Sequence, residues 1–138
     1  MSTIKAANLQ NTGSGAPAFK NSSGTEIGQL AKAWVNFNGT GTVAIRDDFN
    51  VTSITDNANG DYTVTFTTAM SDTNYCVIGG MSANSSGTNG NTFYSSTQTS
   101  GPAYNSGYTT TSSIRMLSMD GTGTNRDAAH LNVVVFGA

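Results

Sequence analysis

Four groups of residues in this 138-residue chain have types and spacings that could do chemistry. Gly39-Thr40-Gly41-Thr42-Val43-Ala44 fits G-x-G-x-x-A, in which glycines let the backbone approach a pyrophosphate. That task also needs a helix to begin at the motif. Ile45-Arg46-Asp47-Asp48-Phe49 reads instead as strand and turn, so a hairpin turn accounts for both glycines. Asp47-Asp48 and the pair Asp120 and Asp127 offer carboxylates for glycoside hydrolysis or calcium. Neighbours on a strand point to opposite faces, which places Asp47 and Asp48 poorly for flanking one bond at the ~5–9 Å that hydrolysis uses. Asp120-Gly121-Thr122-Gly123-Thr124-Asn125-Arg126-Asp127 has oxygen donors at alternate positions, but the closing bidentate Glu of a calcium loop is missing, and an ordinary polar loop is expected. His130 is the sole histidine, and with no G-x-S-x-G elbow to present a nucleophile it reads as a strand-edge residue. No catalytic group, metal or cofactor is expected.

The aromatic residues suggest binding rather than catalysis. Trp34, the only tryptophan, could stack on a sugar, but it lies in the most regular strand pattern of the chain and is read as core or interface. Phe93, Tyr94, Tyr104 and Tyr108 are embedded in or beside a Ser-, Asn-, Gly- and Thr-rich segment, Ser82–Gly107. These four are the candidate receptor or glycan contacts.

The elements that would position them are strands. Thr, Ser, Asn and Gly supply 68 of the 138 residues while charged residues make up 10%, so hydroxyls and amides must solvate the surface. β-Branched and aromatic residues recur in blocks, which argues for order despite the low-complexity composition. The length fits one domain. A net charge of -2, split evenly between the halves, presents no basic face for nucleic acid. Cys76 has no partner for an intrachain disulfide and is read as a small buried hydrophobe. The longest apolar run, Val133-Val134-Val135-Phe136, is far short of a ~20-residue membrane span, and the first twenty residues lack the apolar core of a signal peptide. Synthesis in a cytoplasm without membrane insertion is expected.

From Ala33 the apolar period is two. Val35 and Phe37 oppose Trp34 and Asn36, and Tyr62, Val64 and Phe66 oppose Thr63 and Thr65, as in half-buried antiparallel strands. The stretch Ala33–Phe66 reads as a β-meander. Phe49 and Val51 share a phase that Ile54 breaks, which predicts a β-bulge near Thr52-Ser53 if all three enter the core. The loop Asp56-Asn57-Ala58-Asn59-Gly60 should end with Gly60 at positive φ. Tyr75-Cys76-Val77-Ile78 is apolar on both faces and reads as a central strand that Gly79-Gly80 ends or bends. A strand is expected near Asn91–Thr97, because an unstructured stretch as long as Ser82–Gly107 is unusual. Tyr108–Met119 reads as a strand with Ile114 and Met116 opposite Leu117 and Met119, and Leu131–Phe136 as the last. The fold class is all-β: an antiparallel β-sandwich, jelly-roll-like, over residues 33–138.

Residues 1–32 differ. Their sparse apolar side chains, Ile4, Leu9, Phe19, Ile27 and Leu30, are separated by polar, Gly-rich stretches and cannot bury one another. An extended attachment arm is expected, with a tight turn at Asn21–Gly24.

The wording of the chain adds a resemblance. Lys32-Ala33-Trp34-Val35-Asn36-Phe37-Asn38-Gly39-Thr40-Gly41-Thr42-Val43-Ala44-Ile45-Arg46, then Gly60-Asp61-Tyr62-Thr63-Val64-Thr65-Phe66 and Ala69-Met70-Ser71-Asp72-Thr73-Asn74-Tyr75, resembles a module of tail-fibre and virion appendage proteins of tailed bacteriophages, marine ones especially. The opening Met1–Asn11 and the ending Val133–Gly137 resemble the same proteins. The resemblance implies a non-enzymatic β-rich virion protein, a short tail fibre, spike or fibre tip, made in the host cytoplasm. It also implies a homotrimer, contacts to other virion proteins through the arm, and outward loops that meet a host-surface glycan or protein. A capsid- or tail-decorating protein is the alternative, and a carbohydrate-binding module a second one. The arm reaches at most ~100 Å, which favours a short appendage over a long fibre.

Overall fold

The computed structural model describes residues 19–82, 92–95 and 108–137, with 92–95 as backbone. The chain divides into two units, residues 1–30 and 31–138.

In the first unit, β1 (Phe19–Lys20) and β2 (Glu26–Gly28) pair antiparallel. The expected turn at Asn21–Gly24 closes them. Asn21 Oδ1 accepts from the Ser23 and Thr25 amides at 3.1 and 2.9 Å, and Gly24 takes a φ of 80°. An Asn oxygen and a left-handed glycine are what a tight turn requires. This part of the arm is therefore a hairpin, not an extended strand. Phe19, Ile27 and Leu30 are all exposed, Ile27 to 68%. Ile4 and Leu9 lie outside the described residues.

The second unit is an antiparallel β-sandwich. Its strands are β3 (Ala33–Asn38), β4 (Ala44–Phe49), β5 (Val51–Ala58), β6 (Asp61–Phe66), β7 (Cys76–Met81), β8 (Thr92–Ser95), β9 (Ser113–Met119) and β10 (Leu131–Phe136). Sheet I has the order β4-β3-β10-β7 and sheet II the order β5-β6-β9-β8. The period-two pattern decides which side chains meet between them. Ala33, Val35 and Phe37 of β3 and Leu131, Val133 and Val135 of β10 face Tyr62, Val64 and Phe66 of β6 and Ile114 and Met116 of β9 in one buried cluster. Phe37 meets Tyr62 edge-on at 5.3 Å. Each large side chain removed from water here contributes about 1.5–3 kcal/mol, which is why the four central strands hold the unit together.

Ala33–Phe66 is not one meander. β3 pairs β4 and β5 pairs β6, but β4 and β5 lie in different sheets. The chain crosses at Asn50, whose φ of 58° is left-handed, a conformation asparagine tolerates better than other side chains. Its amide nitrogen donates to the carbonyls of Lys32 and Thr68 at 3.0 and 3.1 Å, and its oxygen accepts from the Thr68 amide at 2.7 Å. The corner leaves Phe49 exposed on sheet I while Val51 enters the core. The bulge expected near Thr52-Ser53 is present, since pairing with β6 skips from Val51 to Ser53. Gly60 has the expected positive φ, 65°, although β5 runs to Ala58 and leaves a turn of only Asn59-Gly60. A Cβ on Gly60 would lie 2.5 Å from the backbone of both Arg126 and Ser118.

Strand β7 departs most from expectation. It is an edge strand, and it continues through Gly79-Gly80 to Met81, in unbroken register with β10. Cys76 is exposed rather than buried. An apolar run indicates two apolar faces, and on an edge strand one of them can face solvent. β8 falls within the expected Asn91–Thr97 and pairs with β9. β9 starts at Ser113, later than expected, and its Leu117 is buried although it stands on the face opposite Ile114 and Met116.

Candidate functional site

The outer face of sheet I is built by register. Trp34 stands opposite Phe49 on one side and Val134 on the other, and Val134 stands opposite Ile78. An apolar row thus crosses all four strands. Phe49 and Ile78 are 53% and 57% exposed, and Trp34 and Val134 are half-buried. Trp34 is therefore not a core residue: Val35 and Phe37 take the inner face, and alternation turns the indole outward. Phe136 and Cys76 form a further pair beside the row, two residues along β10 and β7.

The adjacent row is polar. Asp47, Asn36, Asn132 and Gly80 stand in register across the same strands. The Asn36 amide nitrogen donates to Asn132 Oδ1. Arg46 sits in the bulge between β3 and β4, donates to the Ala129 carbonyl at 2.5 Å and comes within 3.5 Å of Asn36 Oδ1. These contacts hold the polar side chains in fixed positions on an exposed surface.

The outer face of sheet II carries an ion pair. Arg115 Nε and Nη2 donate to Asp61 Oδ1 and Oδ2 at 2.8 and 2.6 Å, and the Asn57 amide lies 3.3 Å from the same carboxylate. The guanidinium sits 4.6 Å over the Tyr108 ring. Hydrogen bonding to Asp61 raises the Arg115 pKa above its ordinary value.

At the end of the sandwich where β5 turns into β6, the carboxylates singled out in the sequence are engaged by the fold. Asp127 Oδ1 accepts from the Gly60 amide and the Tyr62 hydroxyl, both at 2.7 Å, and the Gly39 carbonyl lies 3.0 Å from that hydroxyl. Burial first, and then the bond to Asp127, push the Tyr62 pKa well above the usual phenol range. Asp120 closes its own loop. It accepts from the Thr122 hydroxyl at 2.6 Å, the Thr122 and Thr124 amides at 2.9 and 3.0 Å, and Arg126 Nε at 3.0 Å. The Thr122 hydroxyl, the Thr124 amide and Arg126 hold its carboxyl well below the usual carboxylate range, against the effect of burial. Asp47 and Asp48 stand opposite consecutive residues of β3, Asn36 and Val35, and so face opposite ways. Gly39 and Gly41 belong to the β3–β4 hairpin turn, Gly39 with no room for a Cβ beside Tyr62 and Gly41 at a φ of 62°. His130 immediately precedes β10, exposed, with its backbone joined to Ser82. Among the described residues no three His, Cys, Asp or Glu side chains cluster.

Tyr108 is half-buried beneath Arg115. Tyr94 and Phe93 stand in register with Leu117 and Ser118 of β9. Tyr104 lies outside the described residues. The outer face of sheet I was not read from the sequence as a contact surface. Its available signal was the phase of Trp34 against Val35 and Phe37, together with Val134 between Val133 and Val135.

Comparison with known proteins gives one result at the level of fold. No protein-family model matches the chain. No curated protein matches it either. Among solved structures, it is similar to the phiAB6 tailspike, determined in complex with three-repeat oligosaccharides of Acinetobacter baumannii surface polysaccharide. The TM-score is 0.51 at 13% sequence identity over 96% of this chain. The chain spans 30% of that tailspike's length. A likeness at this identity concerns the fold, and the fold hosts many functions.

Proposed function

We propose that this chain is a non-enzymatic structural protein of a tailed-phage virion, a short tail fibre, spike or fibre-tip module that contributes to host-surface attachment. The observation that carries the reading is the fold shared with a tailspike over 96% of the chain, found independently of the wording that resembles virion appendages. In this reading the protein is a homotrimer. Residues 1–32 join it to other virion proteins, and the sandwich of residues 33–138 projects. The exposed Phe19, Ile27 and Leu30 support an attachment role, because apolar side chains left in solvent gain by docking. The engagement of Asp120 and Asp127 in the fold supports a non-enzymatic role.

Deleting residues 1–32 is expected to abolish incorporation into particles while residues 33–138 keep their β-rich circular dichroism spectrum. A deletion variant that still joins particles normally would sink the attachment role. Decoration of the capsid or tail is a second reading, compatible with the compact hairpin at Phe19–Gly28. Immunogold labelling separates the two: a few copies at the tail for an appendage, many over the shell for decoration. Release of reducing sugar from host polysaccharide, lost in Asp127→Asn with the fold retained, would overturn the non-enzymatic reading.

A further inference from the structure

We propose that the outer face of sheet I is a binding platform for a neutral oligosaccharide. The pyranose chain lies along the row Phe49, Trp34, Val134 and Ile78, and its hydroxyls meet Asp47, Asn36 and Asn132. This names a ligand class for the attachment role above and rests on that reading for its biological setting, while the site itself rests on the geometry of the face.

Three features of the face point to a sugar. The first is shape. Three inter-strand steps of ~4.8 Å make the apolar row ~14 Å long, and the polar row runs beside it ~7 Å away, two residues along each strand. A pyranose chain has the matching division, with faces of C–H groups and edges of hydroxyls. Aromatic rings carried on strands offer such a C–H face a rigid contact that costs little conformational entropy to order. The second is the state of the polar groups. The Asn36 to Asn132 bond and the reach of Arg46 to Ala129 fix the amides before any ligand arrives. Among the described residues, Asp47 Oδ2 and Asn132 Nδ2 carry no hydrogen bond, so an acceptor and a donor remain for hydroxyls. At the β7 end the row finishes at Gly80, where a side chain would meet nothing within 4 Å, leaving an open shelf beside Ile78. The third is charge. Arg46 and Asp47 offset one another on the β4 edge, which favours a neutral chain over a polyanion.

Area argues against a second copy of this chain as the occupant. A face ~14 Å by ~20 Å offers ~300 Å², well under the ~800 Å² that each partner contributes to a standard protein interface. It suits a short linear ligand with a few fixed polar groups.

Because Trp34 is the only tryptophan, its emission reports on the site directly. The full chain is titrated with neutral hexasaccharides, namely cellohexaose, xylohexaose, mannohexaose and laminarihexaose. At least one is expected to change the emission saturably, with a Kd between about 10 μM and 1 mM. By calorimetry, Phe49→Ala and Asn132→Ala should each weaken that binding about tenfold or more, equivalent to about 1.4 kcal/mol, with circular dichroism unchanged. Three outcomes overturn the proposal: no saturable change with any probe up to about 10 mM, undiminished binding by both variants, or an oligomer that Phe49→Glu and Ile78→Glu dissociate. The last would assign the face to a second copy. None of these outcomes bears on incorporation into particles, which the deletion of residues 1–32 tests separately.

Discussion

The two outer faces of the sandwich solve the problem of a solvent-facing sheet in opposite ways. On sheet II the polar groups are paired with one another: Arg115 holds Asp61 with both nitrogens, and Tyr108 lies against the guanidinium. On sheet I a row of large apolar side chains lies open beside amides with remaining hydrogen-bonding capacity. A face whose groups satisfy one another contributes stability. A face left incomplete contributes little, and its residues can be changed at little cost to the fold. Stability and recognition should therefore respond to different substitutions.

The sharpest break would come at the joint from which both faces diverge. Asn50→Ala removes three hydrogen bonds and puts an unfavourable side chain at a φ of 58°, so a loss of about 3 kcal/mol in urea unfolding is expected. On sheet II, Arg115→Ala removes the cation from Asp61, whose side chain is 11% exposed in the intact pair. Because Arg115 itself is 31% exposed, the cost is set below that of a fully buried pair, at about 1–3 kcal/mol, with hexasaccharide binding unaffected.

A third contrast is with pH. The Asp120 carboxyl sits below its ordinary pKa in the folded chain, so its contribution is present in full above the unfolded value near 4 and is lost as pH falls below it. The melting temperature should be level from about pH 5 to 8 and drop below about pH 4, a drop that Asp120→Asn should flatten. The smallest effect belongs to sheet I. Ile78→Thr, on an exposed position, should change stability by less than about 0.5 kcal/mol. A loss above about 2 kcal/mol would mean that this face is covered in the folded protein.

How much of this was legible follows from the range of each signal. Alternation in Ala33–Phe37 and Tyr62–Phe66 is local, and it reads correctly as two half-buried strands, although Trp34 left the inner face of the first undecided. The bulge at Thr52 was legible because Val51 and Ile54 conflict in phase. The corner at Asn50 was not, because an asparagine in the left-handed region has the same letter as the fourteen others. Nor could the run from Tyr75 to Ile78 reveal that β7 is an edge strand, since its neighbour β10 lies some fifty residues away. The platform row is the extreme case. Phe49, Trp34, Val134 and Ile78 come from four separate strands, and only the assembled register aligns them. Sequence reasoning placed recognition at Phe93, Tyr94, Tyr104 and Tyr108 because their polar surroundings are a local signal.

Strands β3 and β10, paired at the centre of sheet I, are separated by roughly a hundred residues, the kind of non-local contact that slows folding to milliseconds or longer. During synthesis, Val35 and Phe37 wait without their partners Val133 and Leu131 until β10 has left the ribosome. Over that interval the polar composition has a second use: with half of the chain hydroxyl, amide or glycine, few stretches are apolar enough to aggregate before the sheet can close.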